Sequence, residues 1–275
     1  MHRRVALVTG GTSGVGLSIV RALVRSGVFV HFIGASADKG ARVEQALNGP
    51  GEPVCRFVRL DLSNLRAVGA FAHAFAAEAP ALNVLANVAG LVLPRREVTD
   101  EGHERTFAVG YLAPFLLCRA LAPALANVSH ARIVNVSGSA SLVLKPRLDA
   151  SEPIGGRGGV RAAIDAVHAK TVLTQCLAER LAGQGTDVNA FHPGAVKSDL
   201  GRGAPFPISV LMALAQGFLS AESKTGAHVS TSESLNGVTG QLFVGLKPRP
   251  LAFDPAYCER LWAATEALLG PTQGS

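Results

Sequence analysis

The chain has 275 residues, of which 48% are hydrophobic and 17% are charged. This composition excludes an intrinsically disordered protein, because such chains have too little apolar surface to form a core. The net charge of +6 comes from 26 basic against 20 acidic residues. The basic residues form no run and aromatic residues are only 5%, so no nucleic-acid partner is indicated. Dispersed arginines indicate a solvated surface or, alternatively, a pocket for phosphate groups.

The cysteines and the chain termini give no sign of export. The four cysteines are far apart and form no CxxC pair, which predicts neither a zinc site nor a disulfide framework. The N-terminus runs into a glycine turn too early for a signal peptide. The most apolar stretch, from Phe206 to Leu219, is interrupted by Pro207 and Gln216 and is too short to span a bilayer. We therefore expect a soluble cytoplasmic protein with no membrane span.

Apolar runs that are typical of buried strands alternate with helical patterns along the chain. The predicted strands are residues 5–8, 28–33, 54–60, 82–86, 132–136, 187–191 and 241–244. The predicted helices are residues 15–25, 38–47, 65–79, 103–126 and 161–182. Such alternation indicates right-handed βαβ units and a parallel sheet. The sequence thus predicts one α/β domain over residues 1–275, a Rossmann fold whose doubly wound sheet has about seven strands and helices on both faces.

Two segments do not fit this alternation. Residues 139–160 are rich in glycine and proline, and residues 200–221 are apolar. Both follow the carboxyl ends of strands, where doubly wound sheets bind ligands. Long loops at that edge are often functional, so we expect these segments to contact a substrate, although the apolar one could also be ordinary core.

A glycine-rich turn links the first strand to the first helix. In the run Thr9-Gly-Gly-Thr-Ser-Gly-Val-Gly16, Gly10 allows a tight turn, Gly14 lets a pyrophosphate approach the backbone, and Gly16 lets helix and strand pack closely. The helix N-terminus then offers free N–H groups to phosphates. This position in a βαβ unit predicts a dinucleotide site. The candidate contacts in the turn are Gly10, Thr12, Ser13, Gly14, Val15 and Gly16.

The TGxxxGxG spacing of this turn resembles the fingerprint of the short-chain dehydrogenase/reductase family, and further segments match in order. These are Asp61 and Leu62 after the third strand, Asn87, Ala89 and Gly90 of an NxAG segment, residues 133–137 of the fifth strand, Lys170 in the long helix, and Pro193, Gly194, Val196 and Ser198 of an HPGxVxT-like segment. Gly240 with Leu261 and Trp262 is similar to the retinol-dehydrogenase-like branch. The resemblance implies a bound NAD or NADP, contacted at the positions 61, 62, 87, 89, 90, 170, 193, 194, 196 and 198.

The same resemblance implies catalytic residues that this chain lacks. The family's general acid/base is a tyrosine four residues before the lysine, and counting back from Lys170 gives Ala166. The position of the serine that bonds the substrate carbonyl is Gly138, and that of the helix asparagine is Gly110. Loss of a general acid typically costs about 10²–10⁴-fold in rate.

Other groups near these positions could replace the missing ones. His168 and Asp165 lie within one helical turn of Ala166, and Ser139 follows Gly138. We interpret Lys170, His168, Asp165 and Ser139 as candidate catalytic groups, although the last three could equally be structural. Lys170 could still hold the nicotinamide ribose hydroxyls, which is part of its family role.

The cofactor specificity and the function each leave alternatives. The second strand ends at Ala35 and Ser36 without an acid that would favour the ribose 2′-hydroxyl, so NADP is preferred and NAD stays possible. The first hypothesis is a noncanonical enzyme of specialised metabolism that acts on a hydrophobic small molecule. It would transfer hydride to an activated electrophile, or catalyse a non-redox cyclisation, dehydration or isomerisation. The alternatives are an ordinary NADP-dependent carbonyl oxidoreductase with a relocated proton donor, and a catalytically silent dinucleotide-binding regulator. Relatives often form homodimers or homotetramers through the two long helices.

Overall fold

The computed structural model describes residues 3–145, 157–194, 196, 220 and 222–270. The strands are β1 (Val5–Thr9), β2 (Phe29–Gly34), β3 (Cys55–Arg59), β4 (Val84–Asn87), β5 (Ala131–Val136), β6 (Thr186–His192), β7 (Gln241–Val244) and β8 (Lys247–Pro250). They form one sheet in the order β3-β2-β1-β4-β5-β6-β7-β8. All neighbouring pairs are parallel except β7 and β8. The predicted doubly wound Rossmann fold is confirmed.

The helices lie on both faces of the sheet. They are α1 (Gly14–Arg25), α2 (Ala37–Asn48), α3 (Leu65–Glu78), α4 (Arg105–Phe107), α5 (Ala113–Ala126), α6 (Ala140–Val143), α7 (Val160–Arg180), α8 (Lys224–Thr231) and α9 (Pro255–Leu269). Alternate strand residues face opposite cores: Leu7 belongs to the core under α3, α5, α7 and α9, and Val8 to the core under α1 and α8. Both faces of the strands are therefore buried, which explains their continuous apolar runs.

Three parts of the fold differ from the sequence prediction. The expected helix over 103–126 is interrupted, since a π-helical turn at Ala108–Leu112 separates α4 from α5. The eighth strand was not predicted because its sequence, Lys-Pro-Arg-Pro, is exposed and contains two prolines, which only an edge strand tolerates. The helices α8 and α9 were also missed.

The segment Arg105–Ala126 is long and apolar enough to cross a membrane by length and composition, with a mean hydropathy of 1.6. Within its 18-residue apolar stretch, 72% is buried inside the protein. Here α5 packs against α3 in the core, and helices buried on all sides have this composition.

The C-terminal helix α9 covers one face of α7. Tyr111 in the π-helical turn makes a hydrogen bond of 2.7 Å between its hydroxyl and that of Thr265. The guanidinium of Arg180 donates to Glu259 at 2.7 Å and lies 4.2 Å from the ring centroid of Trp262. That face of the long helix is consequently occupied by the chain's own α9. A homodimer through the long helices would have to use another face.

Candidate active site

The glycine turn forms a cradle with no room for side chains. Gly10 and Gly14 have φ angles of +69° and +52°, a region that favours glycine. A Cβ atom on Gly16 would lie 2.2 Å from the carbonyl oxygen of Gly10, and one on Gly10 would lie 2.9 Å from the Cα atom of Ala89. The turn therefore needs glycine at both ends, and it packs directly on the segment that follows β4.

The first helix presents its N-terminus to this cradle. Helix α1 begins at Gly14, and the side chain of Ser13 makes no capping hydrogen bond. The first-turn N–H groups of an uncapped helix, together with its dipole, suit an anionic group such as a pyrophosphate. The methyl of Thr12 lies 2.5 Å from where a Cβ atom on Gly34 would stand, so Thr12 packs on the end of β2. This arrangement fits the dinucleotide that the sequence predicts.

The segment after β4 forms the floor of the site, and hydrogen bonds hold it from below. The hydroxyl oxygen of Thr9 accepts from the backbone N–H of Val88 at 2.9 Å and of Ala89 at 3.1 Å. Asn87 is fully buried, and its amide donates to Asn135 Oδ1 at 2.9 Å. The Asn87 side chain is thus engaged in the core and its cofactor contact stays a prediction, while Val88 and Ala89 are half-buried and Gly90 is exposed.

The adenine-side candidates lie at the carboxyl ends of β2 and β3. Ser36 is exposed, and its hydroxyl accepts from the N–H of Lys39 at 3.4 Å at the start of α2. Asp61 accepts from the backbone N–H and the hydroxyl of Ser63 at 2.9 and 2.8 Å. Leu62 is buried. These bonds orient one oxygen of the Asp61 carboxylate inward and leave the side chain about half exposed, with 54% accessible.

The nicotinamide-side candidates are described in part. Pro193 is half-buried and its carbonyl accepts from the hydroxyl of Ser223 at 3.0 Å, whereas Gly194 is exposed with a φ of +76°. Val196 is buried and forms a β-bridge with Ser220. Ser198 lies outside the described residues, as do most of the predicted substrate segments 139–160 and 200–221.

The serine position carries no hydroxyl. A Cβ atom on Gly138 would lie 3.0 Å from Val143 Cγ1 and 3.3 Å from Val167 Cγ1. The preceding Ser137 is buried, and its hydroxyl is 2.6 Å from that of Thr171, which itself donates to a helix carbonyl. The following Ser139 is exposed, and its hydroxyl lies 3.3 Å from that of Ser141. Ser139 and Ser141 therefore both present accessible hydroxyls at this edge.

The two positions read from the sequence as the missing tyrosine and asparagine face each other. A Cβ atom on Gly110 would lie 2.8 Å from the Cβ atom of Ala166. Ala166 is 1% exposed, and Gly110 is buried in the π-helical turn. There is no space beside Ala166 for a phenol ring.

Lys170 lies deeper than a cofactor contact would require. It is 1% exposed, and its amino group donates to the carbonyl of Asn87 at 3.5 Å, under the floor. Burial lowers the pKa of Lys170 from 10.5 to about 7, partly offset by the nearby Cys118 thiol. The helix α7 side chain beside Gly138 is instead Val167, one turn closer to the open edge. Three residues of helix rise place Lys170 about 4.5 Å further into the fold than Val167.

Val167 and Ala163, four residues earlier, are both half-buried and line the open edge. Lys170 is the one lysine in helix α7, so the sequence places the family's lysine there and its tyrosine position at Ala166. No local signal distinguishes the two registers, since the positions 162, 163, 166, 167 and 169 are all alanine or valine. Only the packing of α7 on β5 places Val167 next to Gly138.

The two proposed substitute acids are engaged elsewhere. His168 is fully buried, and its Nδ1 lies 2.7 Å from the carbonyl oxygen of Val143 while Nε2 lies 2.9 Å from the Tyr257 hydroxyl. A carbonyl can only accept, so Nδ1 donates to Val143, and in the neutral ring Nε2 accepts from the Tyr257 hydroxyl. Asp165 is buried and pairs with Arg157 at 2.9 Å. The structure thus does not bring His168 to the open edge, and it pairs Asp165 with a cation.

The fold and this site define a dinucleotide-binding α/β protein. The family model described as short chain dehydrogenase matches residues 4–150. The chain is 31% identical to mouse (Mus musculus) retinol dehydrogenase 12 in an alignment of 277 positions, gaps included, that covers 97% of this chain and 86% of that protein. It is 30% identical to human (Homo sapiens) retinol dehydrogenase 14 in an alignment of 298 positions, gaps included, that covers 98% of this chain and 87% of that one. This chain belongs to the short-chain dehydrogenase family.

A solved structure of similar fold contains the reduced cofactor. It is a blue fluorescent protein from a metagenomic library in complex with NADPH, with a TM-score of 0.65 and 26% identity. The alignment covers 88% of this chain and 97% of that one. The family-model match ends at residue 150, before helix α7 begins at Val160. The cofactor half of the chain therefore matches the family model, and the helix with the unusual positions lies beyond the match.

Proposed function

We propose that this protein binds NADP(H) and acts on a hydrophobic small molecule by a reaction that needs no tyrosine proton donor. The observation that carries this proposal is the set of side chains around the serine position. Gly138 has no side chain, Val167 lies beside it, and Ala163 comes about one helical turn before Val167, so none of the three offers a hydroxyl or an amino group. NADPH, when bound, supplies a hydride. Reduction of a ketone makes an alkoxide that must be protonated, whereas hydride addition to an iminium carbon gives a neutral amine directly.

A non-redox cyclisation, dehydration or isomerisation fits the same apolar wall, and both forms belong to the proposal. The matched mammalian relatives are named for retinol, an apolar alcohol, which is in keeping with a hydrophobic substrate. A role in specialised metabolism and a cytoplasmic location stay predictions. The buried position of His168 counts against an ordinary carbonyl reductase that uses this residue as its relocated donor.

The charges at the end of β2 support NADP over NAD. In the strand ladder Gly34 pairs with Arg59, whose side chain is exposed. No acid stands at Ala35 or Ser36 to repel a 2′-phosphate. The similar solved structure contains NADPH.

The cofactor part is tested by titrating the protein with NADPH and NADH. We expect an Arg59→Ala variant to weaken NADPH binding by about tenfold, the worth of a charge-assisted hydrogen bond, and to leave NADH binding unchanged. An Arg56→Ala variant is the matched control, because Arg56 lies on the same strand but pairs with Glu78 at 3.1 Å. If Arg59→Ala binds NADPH and NADH with the wild-type affinities, Arg59 does not contact the 2′-phosphate and the argument from this residue for NADP fails.

The chemical part is tested by rebuilding the family's site in the register that the structure indicates. A Gly138→Ser, Ala163→Tyr, Val167→Lys variant should gain NADPH-dependent reduction of a carbonyl panel that includes retinal. The wild-type protein should show at most a trace of this activity. Ordinary carbonyl turnover by the wild type would instead establish the relocated-donor alternative. Thermal stabilisation by NADPH with no turnover of any precursor would favour a silent binder.

A further inference from the structure

A closed ring of hydrogen bonds connects α7 to the floor of the site. The amino group of Lys170 donates to the carbonyl of Asn87, and the amide of Asn87 donates to Asn135 Oδ1. The amide of Asn135 donates to the Thr174 hydroxyl at 3.1 Å, and that hydroxyl donates to the carbonyl of Lys170 at 2.9 Å. The ring joins β4, β5 and α7 through four residues.

All four ring residues are at most 1% exposed. Within the described part of the chain, no ion pair joins Lys170 to a carboxylate, and the titratable group that faces it is the buried, neutral Cys118 thiol. A buried amino group without a counterion is costly, so its contact with a backbone carbonyl calls for an explanation.

The carbonyl that Lys170 holds begins the floor segment. Directly after Asn87, the N–H groups of Val88 and Ala89 are bonded to Thr9, and Ala89 packs on Gly10. The position of Asn87 therefore determines how closely the residues that follow it lie to the glycine turn.

We propose that Lys170 is a positioning residue that holds residues 87–90 against the glycine turn from below, and that it does not contact the dinucleotide. This rests on the proposed binding of NADP(H), and it replaces the expectation that Lys170 bonds the nicotinamide ribose. The remaining members of the ring, Asn135 and Thr174, serve the same purpose.

Two ligands separate positioning from direct contact. NADPH contains the nicotinamide ribose, whereas adenosine 2′,5′-bisphosphate lacks it. Lys170→Met and Thr174→Val each remove one hydrogen bond of the ring with little change of volume. We expect both variants to weaken both ligands by a similar factor of about three- to tenfold. Thr171→Val is the matched control, since its hydroxyl contacts Ser137 outside the ring, and it should bind both ligands like the wild type.

Hydrogen exchange provides a readout that does not depend on ligand binding. The amides of Val88 and Ala89 should exchange several-fold faster in Lys170→Met and Thr174→Val, and at the wild-type rate in Thr171→Val. Thr174→Val keeps this test available if the Lys170 variant does not fold.

Two outcomes would overturn the proposal, and a third would overturn the proposed NADP(H) binding instead. If Lys170→Met weakens NADPH but not the bisphosphate, Lys170 contacts the nicotinamide ribose. If melting temperature changes while both affinities and the exchange rates do not, the ring is merely structural. If the wild type binds neither ligand although the exchange rates respond as expected, the failure belongs to the proposed NADP(H) function.

Discussion

Replacing Lys170 by methionine should stabilise the protein at neutral pH and change how its stability depends on pH. The pKa of Lys170 falls from 10.5 to about 7 because the amino group is buried. At 1.36 kcal/mol per pKa unit, this corresponds to a destabilisation of about 5 kcal/mol at and below pH 7. The variant also loses the hydrogen bond to Asn87, which reduces this gain in stability by about 1 kcal/mol. We therefore expect Lys170→Met to be more stable than the wild type by up to about 4 kcal/mol at pH 7.

The sign of the pH dependence follows from proton linkage. Above pH 7 the folded protein releases the Lys170 proton, whereas the unfolded chain keeps it up to about pH 10.5. The unfolded state then binds more protons, so the free energy of unfolding of the wild type rises with pH in this window. Between pH 7.5 and 9.5, the advantage of Lys170→Met over the wild type should shrink by about 2.5 kcal/mol.

Urea unfolding at several pH values measures this difference, because other titrating groups cancel between wild type and variant. The exposed Lys247→Met variant controls for the loss of one positive charge, and its difference from the wild type should stay within about 0.5 kcal/mol. If the difference in free energy of unfolding between Lys170→Met and the wild type does not change from pH 7.5 to 9.5, the pKa of Lys170 is not lowered in the folded protein. The expected combination of higher stability with weaker cofactor binding is a familiar trade-off at functional sites.

Further predictions concern packing at the site. Ala166→Tyr should lower the free energy of unfolding by several kcal/mol, because Ala166 is 1% exposed and packs against Gly110. Ala163→Tyr, at the open edge, should change the free energy of unfolding by less than about 1 kcal/mol, and chemical denaturation measures both values. Gly10→Ala should abolish NADPH binding in a calorimetric titration, because its Cβ atom would lie 2.9 Å from the Cα atom of Ala89 and its φ of +69° disfavours alanine. Unchanged affinity would contradict the role of the glycine turn in binding the cofactor. Tyr257→Phe should cost about 1 kcal/mol in thermal unfolding, because it removes the hydrogen bond between its hydroxyl and the buried Nε2 of His168, yet NADPH affinity should not change if that histidine is structural.

Much of the cofactor half could be predicted because its signals are local. The glycine turn places three glycines where positive φ or close approach demands them, and the apolar runs on either side reveal the strands. The helix α9 was missed although its buried side chains Tyr257, Cys258 and Leu261 lie at helical spacing and belong to the same core as α5 and α7. The π-helical turn was missed because residues 107–118 are apolar on nearly every side, so the phase shift that one extra residue introduces leaves no trace in the pattern.

The parallel Rossmann sheet, the glycine turn at Gly10–Gly16 and the absence of a tyrosine four residues before a lysine all follow from the amino-acid sequence. These features depend on neighbours in the chain, and backbone conformation and hydrophobic periodicity report them directly. Three relations could be seen only in the folded protein: Val167 lies beside Gly138, Lys170 lies beneath the segment after β4, and His168 contacts Tyr257. Those relations depend on how α7 is rotated and shifted against β5 and α9, and this placement is determined by packing between residues far apart in the chain.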